Sequence, residues 1–144
     1  MKNIFAFVLL GIMFISCSDD DNSIEYVSDC DLISQVIDEE SFQEIETNNY
    51  LITNVELNQD CLEVTFGSSG CDGSTWEENL FSKDVLFDAL PLQRAVRFEF
   101  LSQELCAAYF EKTVSFDLVP FQIEGQNEVP LNIEGWDEVI IYQY

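Results

Sequence analysis

The residues best placed to do chemistry lie in one short run, Gly67-Ser68-Ser69-Gly70-Cys71-Asp72-Gly73-Ser74, with Trp76 just beyond it. Its three glycines permit tight turns and close approach of a ligand to backbone, so Ser68, Ser69, Asp72 and Trp76 form the candidate ligand loop. A phosphate loop is excluded because the lysine it requires is absent. Nucleophilic serine chemistry lacks its base: the chain has no histidine, and neither serine sits in a Gly-x-Ser-x-Gly turn. Asp72, Glu77 and Glu78 offer the hard oxygen ligands that calcium takes, but without the spacing of a calcium loop. Paired carboxylates could hydrolyse a glycosidic bond, yet no motif singles out a pair. Trp76, Trp136, Tyr142 and Tyr144 would stack on sugar rings if one face exposed them.

Composition narrows the classes further. The 144 residues carry 28 Asp and Glu against 5 Lys and Arg, a net charge of −23. Beyond Lys2, the cations are Lys83, Arg94, Arg97 and Lys112. Such a chain repels phosphate backbones, which excludes nucleic acid as a partner. With no histidine, His-based triads, metal sites and general bases are excluded too, and no metal or cofactor is expected. The 47% hydrophobic content, with 12 Phe, predicts a packed core and not a disordered acidic chain.

Residues 1–16 read as a secretory signal. Lys2 is followed by a nearly continuous apolar run from Ile4 to Ile15, then by the small residue Ser16. Twelve residues at about 1.5 Å each reach roughly 18 Å, short of a hydrocarbon core of about 30 Å. The tetrad Phe14-Ile15-Ser16-Cys17 is similar to a lipobox, with Phe where Leu is usual. With the acidic run Asp19-Asp20-Asp21 after it, the segment resembles the surface-exposed lipoproteins of Bacteroidota. The resemblance covers residues 1 to about 22. It implies that Cys17 is acylated and holds the protein on the outer membrane, facing outside; the periplasmic face is the alternative. Several acyl chains make such an anchor stable where one would not. Residues 17–29 then form an acidic tether, and 30–144 a single domain.

Setting Cys17 aside leaves Cys30, Cys61, Cys71 and Cys106, an even set that predicts two disulfides in an exported domain. Cys61 opens a strand of about 17 Å whose far end leads to Cys71, whereas bridged Cα atoms lie roughly 4.4–6.8 Å apart. Cys61–Cys71 is therefore disfavoured, and Cys30–Cys61 with Cys71–Cys106 is the favoured set.

The elements that must position these residues are mostly strands. Spacings of three and four among Leu32, Ile33, Val36, Ile37, Phe42 and Ile45 predict a helix over 32–46, with extended chain turning at Asp38-Glu39-Glu40 as the alternative. Period-two alternation then predicts strands through Leu51–Leu57, Leu62–Phe66, Ser74–Phe81, Val96–Phe100, Val114–Leu118, Val129–Ile133 and Val139–Tyr144. In the first of these, Leu51, Thr53, Val55 and Leu57 share one face. Turns are expected at Asn58-Gln59-Asp60, at Gly67–Gly70 and at Gly135-Trp136-Asp137. The pattern fits a small antiparallel β-sandwich with a short N-terminal helix, or alternatively a small β-barrel.

These readings favour a non-enzymatic envelope module that binds a protein or glycan partner or joins an assembly. The alternatives are a small carboxylate-dependent glycan hydrolase, and an inhibitor or immunity-type lipoprotein that presents a rigid loop such as 67–75.

Overall fold

A computed structural model describes residues 28–84 and 91–144. The signal segment, the anchor Cys17 and most of the 17–29 tether lie outside the described residues. Among these described residues, nine strands and one short helix follow in chain order: β1 (Leu32–Ile33), β2 (Gln35–Ile37), α1 (Glu39–Gln43), β3 (Leu51–Asn58), β4 (Cys61–Gly70), β5 (Glu77–Lys83), β6 (Arg94–Leu101), β7 (Ala108–Asp117), β8 (Glu128–Ile133) and β9 (Ile140–Gln143). A 3₁₀ turn covers Val119–Phe121.

The strands form two sheets, β1-β7-β4-β3 and β2-β5-β6-β8-β9. They pack face to face as a sandwich and do not close into a barrel. The sheets are mixed: β1–β7, β2–β5 and β6–β8 run parallel, while β3–β4, β4–β7, β5–β6 and β8–β9 run antiparallel.

Alternation produces the core. Leu62, Val64 and Phe66 of β4 face Val96, Phe98 and Phe100 of β6, all nearly or fully buried. Aromatic and β-branched side chains suit a pleated, buried face. The rings meet at edges and tilts: Phe66 and Phe98 lie 4.8 Å apart, and Tyr50 is edge-on to Phe98 at 5.2 Å. Lys112 of β7 crosses the gap between the sheets to pair with buried Glu78 of β5 at 2.7 Å.

Two expectations are corrected. The helix over 32–46 shrinks to Glu39–Gln43, capped by Asp38, whose carboxylate accepts from the Ser41 N–H at 2.9 Å. Before it, the chain lends a short strand to each sheet. The switch is at Ser34, which is buried and donates both its N–H (3.1 Å) and its hydroxyl (2.6 Å) to the Asp117 carbonyl. Pairing with β7 and β5 overrides the local three-to-four spacing.

In β3, the expected face is broken. The register with β4 shifts between Ile52 and Asn54, so Ile52 and Val55 are buried while Leu51 is 62% exposed. A bulge adds a residue, and a strand's period of two then changes phase.

Both favoured disulfides are present. Cys30–Cys61 ties the N-terminal segment to β4, and Cys71–Cys106 joins the β4–β5 and β6–β7 connections, with Cα–Cα distances of 5.6 and 4.8 Å.

Candidate functional site

The Gly-Ser run is not a loop throughout. Gly67–Gly70 continues β4 and pairs with Glu111–Ala108 of β7, so the turn begins only at Cys71. This separates the four candidate ligand residues. Ser68 is buried, its hydroxyl donating to the Asn49 carbonyl at 2.8 Å. Ser69 is exposed. Asp72 is exposed and accepts from the Ser74 N–H at 3.0 Å, and the Ser74 hydroxyl and N–H hold its carboxyl below the usual aspartate range. Trp76 is buried, stacked flat on Phe110 at 4.5 Å, so it serves the core.

The other sequence candidates are likewise dispersed. Glu77 and Glu78 point to opposite faces of β5, which leaves no calcium cluster with Asp72. Among the described residues, no three Cys, Asp or Glu side chains gather to hold a metal ion. Tyr142 is fully buried, Trp136 is half-buried and Tyr144 is exposed, so the four aromatics share no stacking face.

What the turn does hold is Glu104. Its carboxylate accepts the N–H groups of Cys71, Asp72 (3.2 Å), Gly73 (3.2 Å) and Thr75 (3.4 Å), and it meets the Thr75 hydroxyl at 3.5 Å. Successive backbone N–H groups curled in this way form an anion nest. Burial pulls the Glu104 carboxyl up, but the N–H groups of Cys71, Gly73, Thr75 and Asp72 outweigh it and hold it below the usual glutamate range. Gly70 makes room: a Cβ there would collide with the Glu104 carboxylate and come within 2.9 Å of Trp76 Nε1. Gly73 turns the chain with φ +74°, a conformation disfavoured for residues with a side chain.

Two residues further on, Cys106 is bonded to Cys71. The residue between these two fixed points is Leu105, which is 98% exposed. A large apolar side chain is thus held out into solvent, pinned on one side by the nest and on the other by the disulfide. Sequence reasoning missed both Glu104 and Leu105. The favoured Cys71–Cys106 pairing was the available signal, since it already sets residue 104 beside the Gly-rich turn.

Beside this apex, Asn48, Asn49, Ser68, Ser69, Phe100, Ser102 and Glu104 line a polar cavity of about 220 Å³. Asn48 Oδ1 accepts from the Ser102 N–H at 2.7 Å. Tyr109, paired with Ser69 across the β4–β7 ladder, is 58% exposed next to it.

The chain is therefore of the class of two-sheet β-sandwiches braced by disulfides. The sequence matches no protein-family model and no curated protein. Its fold is similar to that of a protein of unknown function, DUF1344, from Bacteroides vulgatus, with a TM-score of 0.53 and 13% identity over 78% of this chain and 56% of that one. A "Putative TOXIN related protein" from Parabacteroides distasonis aligns with a TM-score of 0.49 and 14% identity, over 78% of this chain and 58% of that one. The chain spans just over half the length of each. At this identity, the likeness to the Bacteroides vulgatus protein is one of fold alone.

Proposed function

We propose that this protein is a non-enzymatic binding module, held at the outer face of the outer membrane by lipid on Cys17, and that it engages a protein partner through the apex formed by residues 71–75 and 102–106. The anchor rests on the sequence of residues 1–22. The binding role rests on one observation: Leu105 is 98% exposed between two immobilised neighbours. Ordering a flexible loop on binding costs affinity, and a loop ordered in advance avoids that cost. A protruding apolar residue on such a loop suits insertion into a partner's pocket, where a few central residues carry most of the binding energy. The net charge of −23 favours basic residues around that pocket.

A second reading, a glycan ligand, is favoured by the polar cavity beside the apex and the exposed Tyr109 at its side. The two separate in one experiment. Tagged full-length protein is recovered from intact cells after mild crosslinking, as wild type, as Leu105→Asp and as Tyr109→Ala. The protein-partner reading expects a reproducible partner that Leu105→Asp loses and Tyr109→Ala retains. It fails if Leu105→Asp recovers the same partners in the same yield.

A further inference from the structure

We infer, resting on the glycan reading, that Tyr109 is the platform for an uncharged sugar ring, and that the protein binds neutral oligosaccharides and rejects anionic ones. The platform includes none of residues 71–75 or 102–106, so it stands apart from Leu105 and the apex. Strand register builds it. Ser69 lies opposite Tyr109 across the β4–β7 ladder, and Leu51 lies opposite Gly67 across the β3–β4 ladder. Directly paired residues share a face, as do residues two apart on one strand, so all of these positions lie on the outer face of the β1-β7-β4-β3 sheet. Tyr109 reaches diagonally over β4 onto Gly67, where a Cβ would collide with its hydroxyl and ring. The side chain is thereby held along the sheet, yet it is 58% exposed. Tyr109, Leu51, Asn49 and Ser69 line a cavity of about 210 Å³. Asn49 and Ser69 also line the polar cavity beside the apex, so a second sugar unit has room to follow the first.

Three features name the ligand. A fixed, exposed aromatic ring offers a flat apolar surface for the C–H face of a sugar, and being ordered in advance it adds no ordering cost on binding. The Asn49 side-chain amide and the Ser69 hydroxyl are exposed and make no hydrogen bond among the described residues, which leaves donors and acceptors for sugar hydroxyls. Finally, no charged residue lines the Tyr109 cavity, although the chain carries 28 Asp and Glu. A surface without charge fits an uncharged, hydroxyl-rich ligand. Glu111, exposed two residues further along the same face of β7, adds a nearby negative charge to the net −23 and repels uronates and sulfated sugars.

The test uses full-length protein in a zwitterionic detergent without sugar headgroups, titrated by calorimetry with cellohexaose, mannohexaose and maltohexaose, and with hexagalacturonate as the anionic control. At least one neutral hexasaccharide should bind saturably, and hexagalacturonate should not. Tyr109→Ala should weaken binding by about tenfold or more, and Tyr109→Phe, which keeps the ring, by less than about threefold. Gly67 has no left-handed φ, so Gly67→Ala is compatible with the strand. It should displace the Tyr109 ring and weaken binding by about threefold or more, with no fall in the urea midpoint. Leu105→Asp should leave sugar binding unchanged. If none of the oligosaccharides binds, the glycan reading itself fails. If hexagalacturonate binds as tightly as the neutral sugars, if Tyr109→Ala binds as well as wild type, or if Leu105→Asp weakens binding as much as Tyr109→Ala, a glycan ligand survives and the Tyr109 platform is overturned.

Discussion

Gly73 donates its backbone N–H to the carboxylate of Glu104 at 3.2 Å, across 31 residues of sequence. With the N–H groups of Cys71, Asp72 and Thr75 on the same carboxylate, this bond makes two separate connections a single apex. The carboxylate is held below its ordinary pKa of 4.5, so its stabilising effect is present above that value in the unfolded chain and is lost as pH falls through the lower folded value. Asp72 shifts in the same direction. Amide exchange at Cys71, Asp72, Gly73 and Thr75 should therefore be protected at neutral pH and lose protection below about pH 4.5, ahead of the β4 and β6 amides. Glu104→Ala should remove that protection at every pH while the sheets keep theirs.

Gly73 itself resists substitution. Its φ of +74° is strained for a residue with a side chain, and an added Cβ would lie 3.1 Å from the Phe110 ring. Gly73→Ala should cost about 1–2 kcal/mol, seen as a lower urea midpoint with an unchanged slope.

Lys112 and Glu78 join the two sheets, and their side chains are exposed by 39% and 6%. Lys112→Met strands the Glu78 carboxylate. Because Lys112 is partly solvated, the cost should be about 1–3 kcal/mol, below that of breaking a fully buried pair. Adding Glu78→Met should recover most of it, and a double-mutant cycle in urea measures the coupling.

Removing the second disulfide as Cys71→Ser with Cys106→Ser should lower stability by about 2–4 kcal/mol and release the turn, since the bond closes a separation of 35 residues. The folded protein should then lose partner recovery at temperatures where its sheets remain intact by circular dichroism.

The sheet was legible where one face is buried and the other is wet. Leu62, Val64 and Phe66 alternate in sequence as they do in the core. The first part of β3 was not, because a bulge beside Ile52 reverses which residues face inward, and period alone carries no mark of a bulge. Residues 32–37 read as helix because two short strands facing different partners mimic its spacing. At the apex, the glycines and cysteines of residues 67–73 marked a constrained turn. Glu104 stayed hidden: it is one acid among 28 Asp and Glu, and its partners are backbone N–H groups that no residue type announces. Leu105 was hidden for the opposite reason, since sequence patterns assign leucine to cores.

The role of Leu105 is tested most directly by placing a photo-crosslinking amino acid at position 105 of the full chain on living cells, and at exposed Thr53 of β3 as control. Illumination should join position 105, and not position 53, to one discrete protein, with the adduct abolished by Glu104→Ala. No adduct at 105, or the same adducts from both positions, would contradict the account.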